Sequence, residues 1–392
     1  MKIIQTIGWI APRYGGPALL VPQMARALAS RGHDVVLITT NVDGAGELRP
    51  DQIPSRDETG YTTLACPRSW PRWYLTSRSM AAALEEHLGN ADVLHAHCLF
   101  RYHTFASRKA CVRHGVPFVL SPHGALNSYQ RRQHRLRKAI YHRLVENANV
   151  RSASLLQYNS QAEQAQVEEC GFGIPGVVIP NGLDVAEYQA PAGADLLPEM
   201  IRAGDGPLIV SIGRLVEKKG LPRLISALAI IRETVPDARL AIAGPDDSGL
   251  EDGLKSLARQ LGIADAVAFP GPVYGRAKVA LLQHARVFGL PSDDENFGNV
   301  VVEAMAAGIP VAISNRVAVH AIVSGCDAGS VIGRDPAEVA AGLLPYLRDP
   351  RMAHERGANG AAAAREHFSW EHVAALLEEM YAGICRPQAE RQ

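Results

Sequence analysis

The chain has 392 residues, 47% of them hydrophobic and 20% charged, which is enough apolar sequence for two or three domains with packed cores. Lys and Arg together number 40, as do Asp and Glu, so the net charge is zero and gives no general reason to bind nucleic acid. The six cysteines form no CxxC pair, which argues against a disulfide framework or a zinc site. No apolar stretch approaches the roughly 20 residues that span a bilayer.

The first half of the chain alternates short apolar segments with helical patterns. A strand is predicted near residues 3–10, followed by a loop with Gly15 and Gly16 and a helix that reaches about Ser30. Pro22 lies in this helical pattern, so the helix either starts later or is kinked, because proline costs a helix interior about 3 kcal/mol. Further strands are predicted at VVLITT, DVLHAH, PFVLS, SLLQYN and GVVIP. This alternation predicts a parallel sheet covered on both faces.

The second half repeats the pattern after a segment rich in Pro, Gly and Ala, which we interpret as a linker. The strand LIVSIG, the loop GRLVEKKG and the helix LPRLISALAIIRETV open it, and the tail from Pro336 is helical. The sequence therefore predicts an α/β protein with two doubly wound domains. The expected boundaries are 1–188 for the N-terminal domain, 189–206 for the linker, 207–368 for the C-terminal domain, and 369–392 for a helix that packs back on the N-terminal domain.

Two loops have the composition of phosphate sites. Gly213–Gly220 follows a predicted strand and opens a helix, and it carries Arg214, Lys218 and Lys219. The free N–H groups and the dipole of a helix start attract anions, so this loop is expected to bind phosphate, although a solvated basic loop would have the same composition. The Gly15–Gly16 pair lets the backbone approach a ligand closely, and a plain tight turn is its alternative.

Two acids bracket a glycine turn in PSDDENFGNVVVEA. Glu295 lies in a loop at the carboxyl end of a predicted strand, and Glu303 lies one turn into the following helix, which Gly298, Asn299 and Val300 would open. A carboxylate offers only acceptors and suits a vicinal diol, so one acid suits a ribose and the other a pyranose, with amides between them for phosphate. Acids also stabilise helix starts, and glycoside hydrolases use paired carboxylates, but a hydrolase needs no basic diphosphate loop.

This segment resembles the E-x7-E signature of retaining glycosyltransferases of family 4, which have the GT-B fold. GRLVEKKG, IPNGLD at 179–184 and the glycine loop support a resemblance that covers nearly the whole chain. It implies two facing Rossmann-like domains with a central cleft, and transfer of a hexose, mannose or similar, from a GDP- or UDP-sugar to a glycan or lipid-linked acceptor in surface polysaccharide synthesis. It implies no cofactor and no metal. A nucleotide-sugar epimerase of the same fold, a polysaccharide phosphorylase and a non-catalytic nucleotide-sugar-binding protein stay open as alternatives.

The resemblance also implies roles for individual residues. Glu303 would hold the donor ribose, and Glu295 would contact hydroxyls of the transferred sugar. Arg214 and Lys219 would neutralise the diphosphate, and His123 would lie near the reacting sugar. The other donor-side candidates are Gly15, Gly16, Phe297, Gly298, Asn299 and Val300, and the acceptor-side candidates are His97, Arg131 and Arg135.

The segment 128–148 is locally basic and amphipathic. At helical spacing, Arg131, Arg135, Lys138 and His142 share one face, and an apolar stripe lies on another. Such a helix binds an anionic membrane, binds phosphates of an acceptor, or docks by its apolar stripe with a solvated basic face. We expect a cytoplasmic protein, peripheral on the inner face of the cytoplasmic membrane if this helix meets lipid.

Overall fold

The computed structural model describes residues 1–126, 145–202 and 204–385. The chain divides into two compact units, residues 1–182 with 370–392, and residues 183–369. Each unit is built on its own parallel sheet.

Strands recur along both units. In chain order they are β1 Lys2–Thr6, β2 Asp34–Thr40, β3 Val42–Asp43, β4 Gly46–Glu47, β5 Thr62–Cys66, β6 Val93–His97, β7 Phe118–Ser121, β8 Leu155–Tyr158, β9 Gly176–Val178, β10 Leu208–Ile212, β11 Arg239–Ala243, β12 Val267–Gly271, β13 Val287–Leu290, β14 Val311–Ser314 and β15 Gly329–Ile332. The strands predicted in the first half are confirmed within a few residues at their ends, whereas β5 and β15 were not predicted.

Helices alternate with these strands. In chain order they are α1 Gly16–Ser30, α2 Arg56–Thr59, α3 Arg78–Leu88, α4 Tyr102–His114, α5 Asn147–Arg151, α6 Gln161–Glu168, α7 Val185–Gln189, α8 Glu199–Arg202, α9 Leu221–Arg232, α10 Glu251–Gln260, α11 Gly275–His284, α12 Asn299–Ala306, α13 His320–Gly325, α14 Pro336–Arg348, α15 Pro350–Phe368 and α16 Trp370–Ile384. Pro22 lies inside α1, so this helix does not start later than the glycine loop. Pro17 occupies its first turn, where a missing N–H costs nothing.

Both sheets are doubly wound. Among the described residues, the first sheet has the order β5-β2-β1-β6-β7-β8-β9 and the second has β12-β11-β10-β13-β14-β15. In each sheet the chain starts near the middle, runs to one edge, and then returns to the other side of its first strand. The strand order therefore reverses between β1 and β6 and between β10 and β13. In open α/β sheets, ligands bind outside the carboxyl ends of the strands at such a point.

Alternate strand residues enter cores on opposite faces of each sheet. In β10, Val210 packs into one core and Ile209 into another, as the two-residue period of a strand requires. In β1, Ile4 and Ile3 divide in the same way. This burial on both faces explains why the strands are almost continuously apolar.

The C-terminal helix α16 belongs to the first unit. Its buried side chains recur at the spacing of one helical face, and they join the core that contains Ile3 and Val35. The buried face consists of Val373, Ala374, Leu377, Met380 and Tyr381.

Residues 189–206, interpreted from composition as a linker, lie within the second unit. They include the short helix α8, and Leu197 and Ile201 are buried in the core of that unit. The chain passes from one unit to the other at 182–183 instead, and returns at 369–370. The composition rich in Pro, Gly and Ala therefore did not indicate that Leu197 and Ile201 are core residues.

Candidate nucleotide-sugar site

The two loops that the sequence singled out in the second half lie side by side. Strand β10 pairs with β13, with Ile209 opposite Val287, so the loops that follow these strands leave the same edge of the sheet. These are Gly213–Gly220 and Pro291–Gly298, at the point where the strand order reverses. The structure thus brings Arg214, Lys219 and Glu295 to one edge, as expected.

Backbone contacts lock the two loops together. The Lys218 carbonyl accepts hydrogen bonds from the Asp293 N–H at 2.7 Å and the Ser292 hydroxyl at 2.8 Å. Gly220 has a φ of +68°, and a Cβ on it would lie 2.2 Å from the carbonyl oxygen of Pro291. Only glycine permits this approach, since a side chain would meet both steric overlap and backbone strain.

Lys219 and Glu295 form the central ion pair of this edge. Lys219 Nζ donates to Glu295 Oε2 at 2.6 Å, and the two side chains are 12% and 20% exposed. Burial by itself would raise the pKa of the Glu295 carboxyl. The positive charges of Lys219, Lys218 and Arg214 outweigh burial, so this pKa lies below its usual value. Glu295 is therefore ionised at neutral pH and holds the lysine in place.

Arg214 differs from Lys219 because its side chain is exposed. Lys218 Nζ lies 3.7 Å from Asp294 Oδ2, a longer pair than that of Lys219. An exposed guanidinium offers five donors in a planar fork that matches a phosphate, so Arg214 is more accessible to a diphosphate than the half-buried Lys218 and Lys219.

A second cluster of charges supports the loop after β13 and was not predicted. Arg223 binds Asp293 through two hydrogen bonds of 2.9 and 3.2 Å, and Arg334 adds a third at 2.7 Å. Burial acts to raise the pKa of Asp293, but the hydrogen bonds and charges of the two arginines lower it. These contacts fix the Asp293 side chain, while the Asp293 N–H is bound by the Lys218 carbonyl.

Glu303 also has a basic partner that the sequence analysis missed. Lys278 Nζ, from α11, donates to Glu303 Oε1 at 2.8 Å, and the Lys278 cation lies 5.6 Å from the ring centroid of Tyr188. Burial raises the pKa of the Tyr188 hydroxyl, as do the Glu303 and Glu187 carboxylates. The carboxylate is therefore held by Lys278 of α11 and by a hydrogen bond with the Tyr188 side chain.

Helix α12 opens at the glycine turn, as predicted. Gly298 has a φ of +98°, and a Cβ on it would lie 2.8 Å from Val317 Cγ1. The helix begins at Asn299, and the N–H groups and dipole of a helix start attract anions. Phe297, in contrast, is buried in the core against Phe368, with ring centroids 5.8 Å apart. Its side chain anchors the turn, and only its backbone remains for a ligand.

The glycine loop of the first unit follows β1. Gly15 and Gly16 have φ values of +61° and +30°, and a Cβ on either would meet nothing within 4 Å. The backbone conformation, not crowding, is what favours glycine here. The space on the Cβ side of both glycines is open, so a ligand can approach the backbone from that side.

His97 and His123 lie at the carboxyl ends of the adjacent strands β6 and β7 and contact each other. Asn159 Nδ2 donates to His123 Nδ1 at 3.0 Å, so the proton of this neutral ring lies on Nε2. His123 Nε2 therefore donates to His97 Nδ1, at 3.1 Å. Burial lowers the pKa of His123 to about 4, so the ring is uncharged at neutral pH.

The buried carboxylate of Glu163 supports this pair and was not predicted. It accepts hydrogen bonds from the Gly124 N–H, next to His123, and from the Asn159 N–H at 2.8 Å. His123 itself has a φ of +50°, which is uncommon for a residue with a side chain. Strained backbone of this kind is found at functional sites, where the surrounding contacts enforce it.

A second histidine network lies deeper in the same unit. His95 Nε2 donates to Ser121 Oγ at 2.6 Å, and the Tyr381 hydroxyl of α16 donates to His95 Nδ1 at 2.8 Å. Ser121 in turn donates to Gln157 Oε1. His95 is fully buried, and burial lowers its pKa to about 3. This network ties the C-terminal helix to three strands.

Some sequence predictions fall outside these observations. Arg131, Arg135 and residues 128–144 of the predicted basic helix lie outside the described residues. Within the described ranges, no helix is both long enough and apolar enough to cross a membrane. The same ranges contain no group of three or more His, Cys, Asp or Glu side chains placed to hold a metal ion.

Comparison with known proteins assigns a family to each half of the chain. The family model Glycosyltransferase Family 4 matches residues 14–187, and Glycosyl transferases group 1 matches residues 198–363. Glycogen synthase of Mycobacterium tuberculosis is 29% identical over an alignment 420 residues long, gaps included, which covers 100% of this chain and 97% of the relative. D-inositol 3-phosphate glycosyltransferase of Corynebacterium urealyticum is 34% identical over 258 residues, 62% of this chain and 59% of the relative.

Solved structures show the same fold. HepE from Anabaena, in complex with UDP and glucose, aligns with a TM-score of 0.76 at 21% identity, over 98% of this chain and 100% of that chain. Sucrose-phosphate synthase from Thermosynechococcus elongatus aligns with a TM-score of 0.75 at 22% identity, over 98% of both chains. The family models and the curated relatives show that the chain is a glycosyltransferase, and its two doubly wound units have the GT-B fold. The chain belongs to the family 4 type of these enzymes, with a group 1 domain in its second half.

Proposed function

We propose that this enzyme is a retaining hexosyltransferase that moves a hexose, mannose or similar, from a GDP- or UDP-sugar to a glycan or lipid-linked acceptor in surface polysaccharide synthesis. The second unit binds the donor, and the first binds the acceptor. The observation that carries the proposal is the 2.6 Å pair of Lys219 and Glu295 at the reversal point of the second sheet, beside the exposed Arg214. UDP bound to HepE, a structural neighbour, supports a nucleotide-sugar donor.

Each group at this edge suits one part of the donor. The Glu303 carboxylate accepts from the ribose hydroxyls, and Glu295 accepts from hydroxyls of the transferred sugar. Lys219 and Arg214, with the amides at the start of α12, bind the diphosphate. Negative charge on the diphosphate grows as the sugar departs, so these cations stabilise the transition state more than the bound donor.

The anomeric configuration is retained because the acceptor attacks the same face of the sugar from which the diphosphate departs. The bond between the anomeric carbon and the diphosphate oxygen breaks, and the acceptor oxygen bonds to that carbon on the same face. The departing diphosphate takes the acceptor proton, so the protein supplies no nucleophile. His123, whose pKa is about 4, is uncharged at neutral pH and does not act as an acid, and because its Nε2 proton is donated to His97 we propose that it lies beside the reacting sugar and positions His97. We propose that the reaction needs no bound metal.

Product analysis tests the proposal. The full-length protein is incubated with GDP- and UDP-hexoses and with candidate acceptors, and the products are followed by NMR. We expect release of the nucleoside diphosphate and a glycoside with the anomeric configuration of the donor. A glycoside of opposite configuration would contradict retention. An epimerised sugar formed without any acceptor would favour the epimerase alternative.

We also propose peripheral membrane binding through segment 128–148, on the basis of its basic, amphipathic sequence alone. Each basic side chain near an anionic surface contributes about 1 kcal/mol. Charge reversal at Arg131, Arg135 and Lys138 should therefore reduce partition onto anionic vesicles relative to neutral ones. Equal partition onto both kinds of vesicle, unaffected by the substitutions, would contradict this part of the proposal.

A further inference from the structure

The carboxyl edge of the first sheet carries a row of aromatic side chains that the proposed chemistry does not use. We define the aromatic row as Trp9 and Tyr14, from the loop after β1, Trp73 and Tyr74, from the loop after β5, and Tyr102, at the start of α4. These loops leave the same edge of the sheet as His97 and His123.

Ring contacts within two groups, and one cation–π contact through Arg101, link the members of this row. Trp73 and Tyr74 have centroids 5.6 Å apart, and Tyr74 meets Tyr102 edge to face at 6.0 Å. The next residue back, Arg101, places its guanidinium carbon 5.6 Å from the ring centroid of Trp9, which lies 5.3 Å from Tyr14. The row is therefore continuous from the loop after β5 to the glycine loop.

The outer end of the row is exposed to solvent. Trp73 is 72% exposed, and Trp70, on the same loop, is 88% exposed. Large apolar side chains grouped at a surface mark an interaction site, because leaving them in water forgoes the free energy of burial. Trp and Tyr provide broad, rigid faces at low entropic cost, and the apolar face of a pyranose ring fits against such a face.

Arginines accompany the rings. Arg72 is exposed between the two tryptophans in sequence, and Arg101 lies over Trp9. Arg13 is also present but pairs with Asp43 at 3.2 Å, and Arg68 donates to the carbonyls of Ala45 and Gly46. Arg72 is exposed, and the half-buried Arg101 donates one hydrogen bond to the Phe100 carbonyl at 3.2 Å and keeps its other N–H donors. Both can meet a ligand, and guanidinium groups match carboxylates, sulfates and phosphates.

We infer that the aromatic row, with Trp70, Arg72 and Arg101, binds an acceptor glycan that carries anionic groups. The inference rests on the proposed function, because a sugar chain on this edge would reach His97 and His123. A bilayer would contact only the projecting rings, Trp70 and Trp73, and not the half-buried Trp9, Tyr74 and Tyr102. A chain of sugars lying along the edge uses the whole row.

Binding of charged and uncharged oligosaccharides tests this inference. The probes are a short galacturonan and sulfated and phosphorylated oligosaccharides, each with its uncharged counterpart, the methyl ester in the case of galacturonan. Titration calorimetry with the full-length protein should show at least one charged probe binding about tenfold more tightly than its counterpart, the ratio that one charge-assisted hydrogen bond supplies. This preference should fall with added salt.

The variants separate the two parts of the surface. The double substitution Trp70→Ala and Trp73→Ala should weaken the binding of charged and uncharged probes alike, by about tenfold or more, as truncation of an aromatic anchor does. Arg72→Gln with Arg101→Gln should remove only the preference for charge. Val112→Ala, which truncates another exposed apolar side chain of this unit, is the matched control and should change neither. Thermal unfolding checks that each variant is folded.

Three outcomes would overturn the inference. In the first, no charged probe binds more tightly than its counterpart. In the second, the tryptophan variants bind the probes as the unsubstituted protein does. In the third, these variants lose binding only to phosphatidylcholine vesicles that contain phosphatidylglycerol, which would make the surface a lipid site. UDP and GDP are titrated in parallel, because failure of the unsubstituted protein to bind either would contradict the proposed function instead.

Discussion

Lys219 Nζ lies 2.6 Å from Glu295 Oε2, although the two residues belong to different loops, one after β10 and one after β13. The pairing follows from the sheet, because β10 and β13 are neighbours whose carboxyl ends share an edge. The pair places a cation beside an anion at the position that we propose for the diphosphate and the transferred sugar.

Loss of the lysine should affect turnover more than binding. We expect Lys219→Ala to reduce kcat by about 10²–10³-fold, the range for removal of one group that stabilises transition-state charge, with a smaller change in the Kd for the donor. Lys255→Ala is the matched control, since Lys255 also pairs with a glutamate, Glu251 at 2.7 Å, but on an exposed helix. Near-normal kcat in Lys219→Ala would show that the assigned electrostatic role is wrong.

The same substitution should raise the pKa of Glu295. Burial acts to raise this pKa and Lys219 is the largest influence that lowers it, so removing the lysine takes away the main opposition to burial. Carbon-13 NMR of the carboxyl group measures the change. In the unsubstituted protein the depressed pKa stabilises the fold above the usual pKa of a glutamate, and this contribution disappears as the pH falls through the folded-state pKa. An unchanged pKa in Lys219→Ala would mean that the pair is not coupled.

Loss of Glu303 should weaken nucleotide binding through the ribose hydroxyls. We expect Glu303→Ala to weaken binding of the nucleoside diphosphate by about tenfold or more, the loss of charge-assisted hydrogen bonds. Removing the 2′-hydroxyl from the nucleotide should cost affinity in the unsubstituted protein and little further in the variant. Lys278→Met tests the support of the carboxylate, because it removes the 2.8 Å partner while leaving Glu303 in place. If the losses of affinity from the 2′-deoxy nucleotide and from Glu303→Ala were fully additive, the ribose would not bind at Glu303.

Gly220 should not tolerate a side chain. Gly220→Ala combines a φ of +68° with a Cβ 2.2 Å from the Pro291 carbonyl oxygen, so we expect a loss of about 1–3 kcal/mol in the free energy of unfolding and weaker nucleotide binding. Gly249→Ala is the matched control, with a φ of +71° and nothing within 4 Å of its Cβ. It carries the backbone strain alone. Equal effects of the two substitutions would mean that the close approach of the loops contributes nothing.

Acid should destabilise the first unit through its buried histidines. The folded-state pKa values are about 3 for His95 and about 4 for His103 and His123, all lowered chiefly by burial, whereas an unfolded histidine titrates near 6.5. Between these values the unfolded chain binds protons that the folded chain cannot, so stability falls as the pH drops from about 6.5 to about 4.

Each of these histidines contributes a slope of up to about 1.4 kcal/mol per pH unit. Chemical denaturation between pH 7 and pH 4.5 measures it, and His95→Gln should flatten the dependence. His354→Gln, at an exposed position, should leave it unchanged. A free energy of unfolding that does not change over this range would contradict the buried, neutral state of the histidines.

The sequence predicted the elements of the donor edge but not their partners. Glu295 and Lys219 could be placed together because the carboxyl ends of parallel strands in one domain share an edge. The pairing of Lys278 with Glu303, and of Arg223 with Asp293, depends on how α11 and α9 pack, which no short motif shows. Leu197 and Ile201 were hidden by a linker-like composition, although both are buried.

The first unit was harder to predict at its edge. Strand β5, TTLAC, is half-buried and lacks a clear alternation, and the loop after it carries no motif. Trp70 and Trp73 therefore gave no signal in the sequence, since a tryptophan is buried more often than exposed. His123 was expected near the reacting sugar, but its hydrogen bonds with His97 and Asn159 depend on how three strands align, which no motif shows.

Nucleotide binding tests the central claim most directly. Thermal unfolding of the full-length protein is measured with a panel of nucleoside diphosphates and nucleotide sugars, alone and in Glu303→Ala and Lys219→Ala. At 100 times its Kd, one class of nucleotide should stabilise the unsubstituted protein by about 2.7 kcal/mol, and at the same concentration the stabilisation should be smaller in Glu303→Ala. If no nucleotide raises the unfolding temperature, or if Glu303→Ala leaves the increase unchanged, then the edge formed by β10 and β13 is not the donor site.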